Sequence, residues 1–114
     1  MKLNIYRKNE ERKKEIVKTF TADTYDLMFG TLEDVAEAIK FDDLKSGSDE
    51  ELIKAAFNLI HNSMGTVKDL LKDIFDGITD EDIRDASVKE IAVVLMDVVK
   101  YTISQLGKGL NGKN

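Results

Sequence analysis

The chain has no cysteine, no proline and no tryptophan, and it has a single histidine, His61, in 114 residues. Each absence removes a class of chemistry or architecture. Without Cys there are no disulfides, no thiolate nucleophile, no iron–sulfur site and no cysteine-ligated zinc. The residues fit a reducing compartment. Without Pro, helix boundaries must be written with Ser, Thr and Gly. No run approaches the ~20 apolar residues of a membrane span. Met1–Tyr6 is too short for the apolar core of a signal peptide, and its basic residues follow rather than precede it. The size is that of one domain with its own core, and 42 % hydrophobic with 34 % charged residues is an ordinary globular balance.

Charge is unevenly placed. Residues 1–20 hold seven Lys/Arg against three Glu, a net of +4. The remainder holds ten against nineteen, a net of −9, which gives the total of −5. So acidic a body is a poor general binder of nucleic acid.

Helix signals dominate. Thr31, Ser48, Thr66, Thr79 and Ser87 each precede a turn rich in acids, the pattern of a hydroxyl N-cap with charges that complement the helix dipole. Ser87 with Glu90 and Ser48 with Glu51 have the spacing of a full capping box. Apolar residues recur at helical spacing after each signal: Leu32, Val35, Ala36, Ile39; Leu52, Ile53, Ala56, Phe57, Ile60; Val67, Leu70, Leu71, Ile74, Phe75. Gly77 is placed to close the third of these helices, and Ile83 and Ala86 belong to a short one over 80–86. The segment 23–29 is ambiguous, and Asp42–Gly47 reads as a linker.

The last helix, from Val88 to Leu106, has the broadest apolar face. Its apolar residues cover an arc of roughly 200°, with Val93 outside it, against the ~100° stripe of a surface helix. Such a helix lies at the centre of a bundle or meets another chain. Gly107 is expected as its C-cap, and 107–114 as a disordered tail. The first 22 residues read differently. Leu3–Tyr6 and Glu15–Phe20 are rich in β-formers, and the charged stretch between them suits the turn of a hairpin. The expected fold is therefore mainly α: one domain over 1–106, with a short N-terminal β-hairpin over 1–22, helices over 23–106 and a long apolar C-terminal helix.

No motif builds an active site. Gly107, Gly109 and Gly112 spell G-x-G-x-x-G, but a dinucleotide site needs a strand before it and a helix after it. The acids around Gly77 fail the calcium-loop register, since Lys72, Ile74 and Ile83 fall at ligand positions. His61 has no second ligand and no nucleophile beside it. The basic stretch at Arg7–Lys14 is interleaved with Glu and short of stacking rings, so it reads as a solvated turn. The chain is read as non-enzymatic, with no metal, nucleotide or other cofactor.

Three long stretches carry a resemblance. Tyr25-Asp26-Leu27-Met28-Phe29-Gly30-Thr31-Leu32-Glu33-Asp34 is the first. Leu70-Leu71-Lys72-Asp73-Ile74-Phe75-Asp76-Gly77-Ile78-Thr79-Asp80-Glu81-Asp82 is the second. Val88-Lys89-Glu90-Ile91 through Val98-Val99-Lys100-Tyr101-Thr102-Ile103 is the third. Together they resemble the tail assembly chaperones of long-tailed phages and prophages of Gram-positive bacteria, over nearly the whole chain. The resemblance implies a small, mainly helical protein of the bacterial cytoplasm. Its partner would be the hydrophobic, helical tape measure protein, which it coats until tail tube protein polymerises. It would be absent from the mature virion. A longer frameshifted product that recruits tail tube protein is also implied. Self-association is expected from the surplus of apolar helix face, and Leu27, Met28, Phe29, Leu71, Phe75, Val94, Leu95, Met96, Val98, Val99 and Tyr101 are the candidate partner- or oligomer-binding residues. No contact with nucleic acid or membrane is expected. The alternative is a homo-oligomeric phage structural or regulatory protein, such as a head–tail connector component.

Overall fold

A computed structural model describes residues 1–23, 27–39 and 48–111, with side chains of the last stretch as far as Ser104. A two-stranded antiparallel hairpin leads into five helices: β1 (Lys2–Lys8), β2 (Lys14–Thr21), α1 (Phe29–Ala38), α2 (Asp49–Asn62), α3 (Met64–Ile74), α4 (Asp80–Arg84) and α5 (Val88–Asn111). The fold is thus predominantly helical with a small β element. The expected linker over 42–47 and the last tail residues, 112–114, lie outside the described residues.

Local chemistry accounts for the hairpin turn. The Asn9 carboxamide oxygen accepts from the backbone N–H of Glu11 at 2.9 Å and of Lys13 at 3.0 Å, and its nitrogen donates to Glu15 at 3.0 Å. This is a side-chain-built turn of the kind Asn favours, and it holds Arg12 at φ 63°. The strands pair from Lys2↔Thr21 to Lys8↔Lys14, with the register broken between Ile5 and Tyr6, where Val17 of β2 has no partner. Leu3 and Ile5 are fully buried, whereas β2 is exposed except at Phe20, which packs a tilted ring against Phe75 with centroids 6.3 Å apart.

Two helix starts follow the hydroxyl-cap reading. Ser48 accepts from the Glu51 N–H at 3.3 Å. Thr79 and Asp82 form a reciprocal capping box at 3.1 and 3.2 Å. Two do not. α1 starts at Phe29 with no side-chain cap, because the Thr31 hydroxyl, now inside the helix, donates to Asp73 of α3. α3 starts at Met64, immediately after the single residue Ser63 that breaks the chain out of α2, so Thr66 is also interior. α5 starts at Val88, directly after Ser87 as read, but the Glu90 carboxylate expected to complete a capping box is taken by β1. Gly77 has φ 83°, the left-handed geometry its position after α3 demands. Ala86 is not helical but bridges to Ile5. α5 runs on through Gly107 to Asn111 instead of stopping at Leu106, so the expected C-cap at Gly107 is not used and 107–111 are helical.

α5 is the centre of the core. It packs chiefly on α2 and also touches β1 and α1. Val94, Leu95, Val98 and Val99 are at most 1 % exposed, while Val93 is 53 % exposed. Of the two expected places for its broad apolar arc, the interior of the fold is the one observed. Leu52, Ala56 and Leu59 of α2 link it to Val67, Leu70, Leu71 and Ile74 of α3 and to Phe75 in one buried cluster, with α3 packed on α2 and α1. Buried Thr102 satisfies its hydroxyl on the Val98 carbonyl at 2.8 Å.

Candidate interaction surface

Burial divides the eleven candidate partner residues into three groups. Leu71, Phe75, Val94, Leu95, Val98 and Val99 are interior side chains. They hold the monomer together and cannot meet a partner unless the fold opens. This corrects their place in the expected interface: apolar face not spent on a partner is spent on α5's own neighbours. Leu27, Met96 and Tyr101 are half-buried. Met28 and Phe29 are the outliers, 64 % and 72 % exposed at the start of α1.

Other exposed apolar side chains escaped the sequence reading. Ile53 and Phe57 are 42 % and 48 % exposed on α2, with half-buried Ile60 beyond them. At 100° per residue the three form a strip beside the buried line of Leu52, Ala56 and Leu59. Their helical spacing had marked them as core. Only their angular offset from that line distinguishes them. Ile16 and Val17 are exposed where the β2 bulge falls. A bulge and flanking lysines are common protections of an open sheet edge, which fits the exposed outer side of β2.

The hairpin is fastened to the helices by polar contacts. The Asn4 backbone N–H donates to Glu90 Oε1 at 3.0 Å, and the Tyr6 hydroxyl donates to Glu90 Oε2. That hydrogen bond, with partial burial, raises the Tyr6 pKa above the ordinary phenol value. The Tyr6 N–H donates to the Asp85 carbonyl at 3.0 Å. Arg7 lies 3.5 Å from Asp85 and 3.6 Å from Glu81. Lys18 reaches Asp82 at 3.3 Å. Burial of Asp82 pushes its carboxyl up, but the Thr79 backbone N–H and the Lys18 ammonium more than offset this and hold it below the usual range. On the surface, Lys72 and Asp80 pair at 2.8 Å, which raises the lysine and lowers the carboxylate.

Where the hairpin tip meets the α4–α5 corner there is an open groove lined by Tyr6, Arg7, Lys8, Lys14 and Arg84, with Asp85, Ala86, Ser87 and Val88. Among the described residues no cluster of His, Cys, Asp and Glu is arranged to hold a metal ion. Nor is any described helix long and apolar enough to cross a membrane. No family model, curated protein or solved structure matches the chain.

Proposed function

We propose that this chain is a non-enzymatic tail assembly chaperone that binds the helical tape measure protein in the cytoplasm of a bacterial host and is left out of the finished virion. The observation that carries the reading is a coincidence of two facts. The first stretch of the family resemblance, 25–34, contains Met28 and Phe29, and these are the most exposed large apolar side chains among the described residues. The monomer's core does not require them. An adjacent aromatic and a flexible thioether are suited to gripping an irregular apolar helix. The strip of Ile53, Phe57 and Ile60, spaced i, i+4, i+7, offers a second seam of the kind a helix packs against. A longer frameshifted form that recruits tail tube protein belongs to the same proposal, and the reading frames beyond Asn114 decide it.

Co-expression with fragments of the tape measure protein from the same genome tests the reading. At least one fragment should co-purify, and Met28→Asp with Phe29→Asp should abolish capture while leaving the melting midpoint within about 2 °C, as expected for exposed positions. Failure to retain any fragment, or capture untouched by the double substitution, would overturn the role given to this surface.

A further inference from the structure

The groove at the hairpin tip, of about 760 Å³, combines three features that the fold does not use. The first is charge. Arg7, Lys8, Lys14 and Arg84 line it against one carboxylate, Asp85. Arg7 is paired with Asp85 and Glu81. Lys8, Lys14 and Arg84 are exposed and make no ion pair among the described residues. Two carboxylates of the nearby turn are engaged elsewhere: Glu11 pairs with Lys13 at 3.8 Å, and Glu15 accepts from Asn9 at 3.0 Å. Lys8 and Lys14 are also register partners, like charges placed directly opposite, which weakens strand pairing.

The second feature is an open strand edge. The Asn9 N–H donates to the Lys13 carbonyl at 2.9 Å. In an antiparallel ladder the next pair, Lys8↔Lys14, is then a non-hydrogen-bonded one, so the Lys8 N–H and C=O point away from β2. Tyr6, two residues earlier, points its N–H the same way and donates it to the Asp85 carbonyl at 3.0 Å. With the bridge from Ile5 to Ala86, this short segment edges β1 as a third strand would. The edging stops at Arg84, which belongs to α4, and among the described residues no backbone group meets Lys8. The third feature is Val88, 57 % exposed on the groove wall.

We propose that this groove docks an extended acidic segment of another protein, one that alternates carboxylates with apolar side chains. Its backbone continues the edge of β1 at Lys8, a short form of strand addition. The Lys8 and Lys14 side chains stand on one face of the hairpin, so alternate residues of the added segment bring carboxylates to them. An intervening apolar residue covers Val88. A nucleic acid fits less well, because the body behind the groove, residues 21–114, carries a net of −9 and repels a phosphate backbone. A lone small anion would use neither the strand edge nor Val88. The site is separate from the α1 and α2 surfaces on which the chaperone reading rests.

Titrating the isotope-labelled full chain with an end-blocked hexapeptide of alternating Glu and Val, followed by NMR at low salt with no client present, tests this. The amides of Lys8, Arg84 and Val88 should shift together and saturate by about 1 mM peptide. Solvent exchange at the Lys8 amide should slow, and the α1 amides should not move. Replacing Glu by Gln in the peptide, or raising the salt, should weaken binding at least about tenfold. Lys8→Gln with Lys14→Gln should weaken it as much, with the melting midpoint unchanged or raised because the like-charge pair is gone. If that variant does not fold, Arg84→Gln replaces it and should weaken binding at least about threefold. No shift by about 1 mM peptide, equal binding of the Gln peptide, indifference to the variants, or shifts that map elsewhere would overturn the proposal. Tighter binding of inorganic phosphate or of a short nucleic-acid duplex at the same amides would also overturn it and assign the groove to phosphate.

Discussion

Truncating Leu95 to alanine tests the central position of α5 most directly. Leu95 is fully buried. The substitution removes three carbons, worth about 0.8 kcal/mol each, so transfer alone costs about 2.4 kcal/mol. A rigid surround adds a cavity term and brings the total to about 3–4 kcal/mol. With an unfolding entropy of about 2.1 cal/mol/K per residue, a chain of 114 residues has about 240 cal/mol/K. The melting midpoint should therefore fall by about 15 °C. Val93, two residues earlier, is the internal control. It is 53 % exposed on the opposite side of the same helix. Val93→Ala should stay within about 0.5 kcal/mol, or about 2 °C, because it loses little burial and gains helix propensity. Thermal denaturation followed by circular dichroism, at two protein concentrations, reads both. A midpoint loss for Leu95→Ala that is the same at both concentrations belongs to the fold of one chain. Equal losses for the two variants, or none for Leu95→Ala, would refute the placement of α5.

Glu90→Ala should loosen the hairpin by about 1–3 kcal/mol, since it deprives the Asn4 amide and the Tyr6 hydroxyl of a charged acceptor; faster hydrogen exchange at the Asn4 amide is the readout, and unchanged protection would refute it. Asp82 gives a pH dependence. Its folded pKa lies below the unfolded value, so its contribution is complete above the unfolded carboxylate pKa and is lost as pH falls through the folded one. The acid limb of midpoint against pH should be shallower in Asp82→Asn than in the wild type, and parallel curves would count against the pairing. Gly77→Ala should destabilise by about 1 kcal/mol or more through its φ of 83° rather than through any clash, because nothing lies within 4 Å of the added carbon; a neutral result in urea unfolding would refute that account.

Much of this architecture could be read from residues alone where the determining chemistry is local. Short segments rich in β-formers on either side of a charged turn pointed to the hairpin. Ser48 and Thr79 announced helix starts because their partners are three residues away. Thr31, Thr66 and Glu90 were misread for the opposite reason. A hydroxyl before acids has the same local signature whether it caps a helix or sits inside one, and the acceptor for Thr31 is on another helix. Glu90 has the spacing of a capping box, but β1, more than eighty residues earlier, offers its carboxylate better partners. The interaction surface was the least legible. Hydrophobicity marks Leu71, Val98, Phe29 and Phe57 alike, and only the placement of neighbouring elements decides which of them face water.

The contacts between Asn4 and Glu90, and between Ile5 and Ala86, have a consequence for the order in which the protein is made. β1 is secured by residues translated more than eighty positions after it. At about 5–20 residues per second the ribosome needs some 4–16 s to span that interval. Until then Leu3 and Ile5 lack α5, the helix that β1 chiefly packs against, and the hairpin by itself is marginal in water. Closure of the domain therefore waits for the start of α5. A nascent chain arrested before Val88 should carry an N-terminal strand open to proteolysis, and one released after α5 should not.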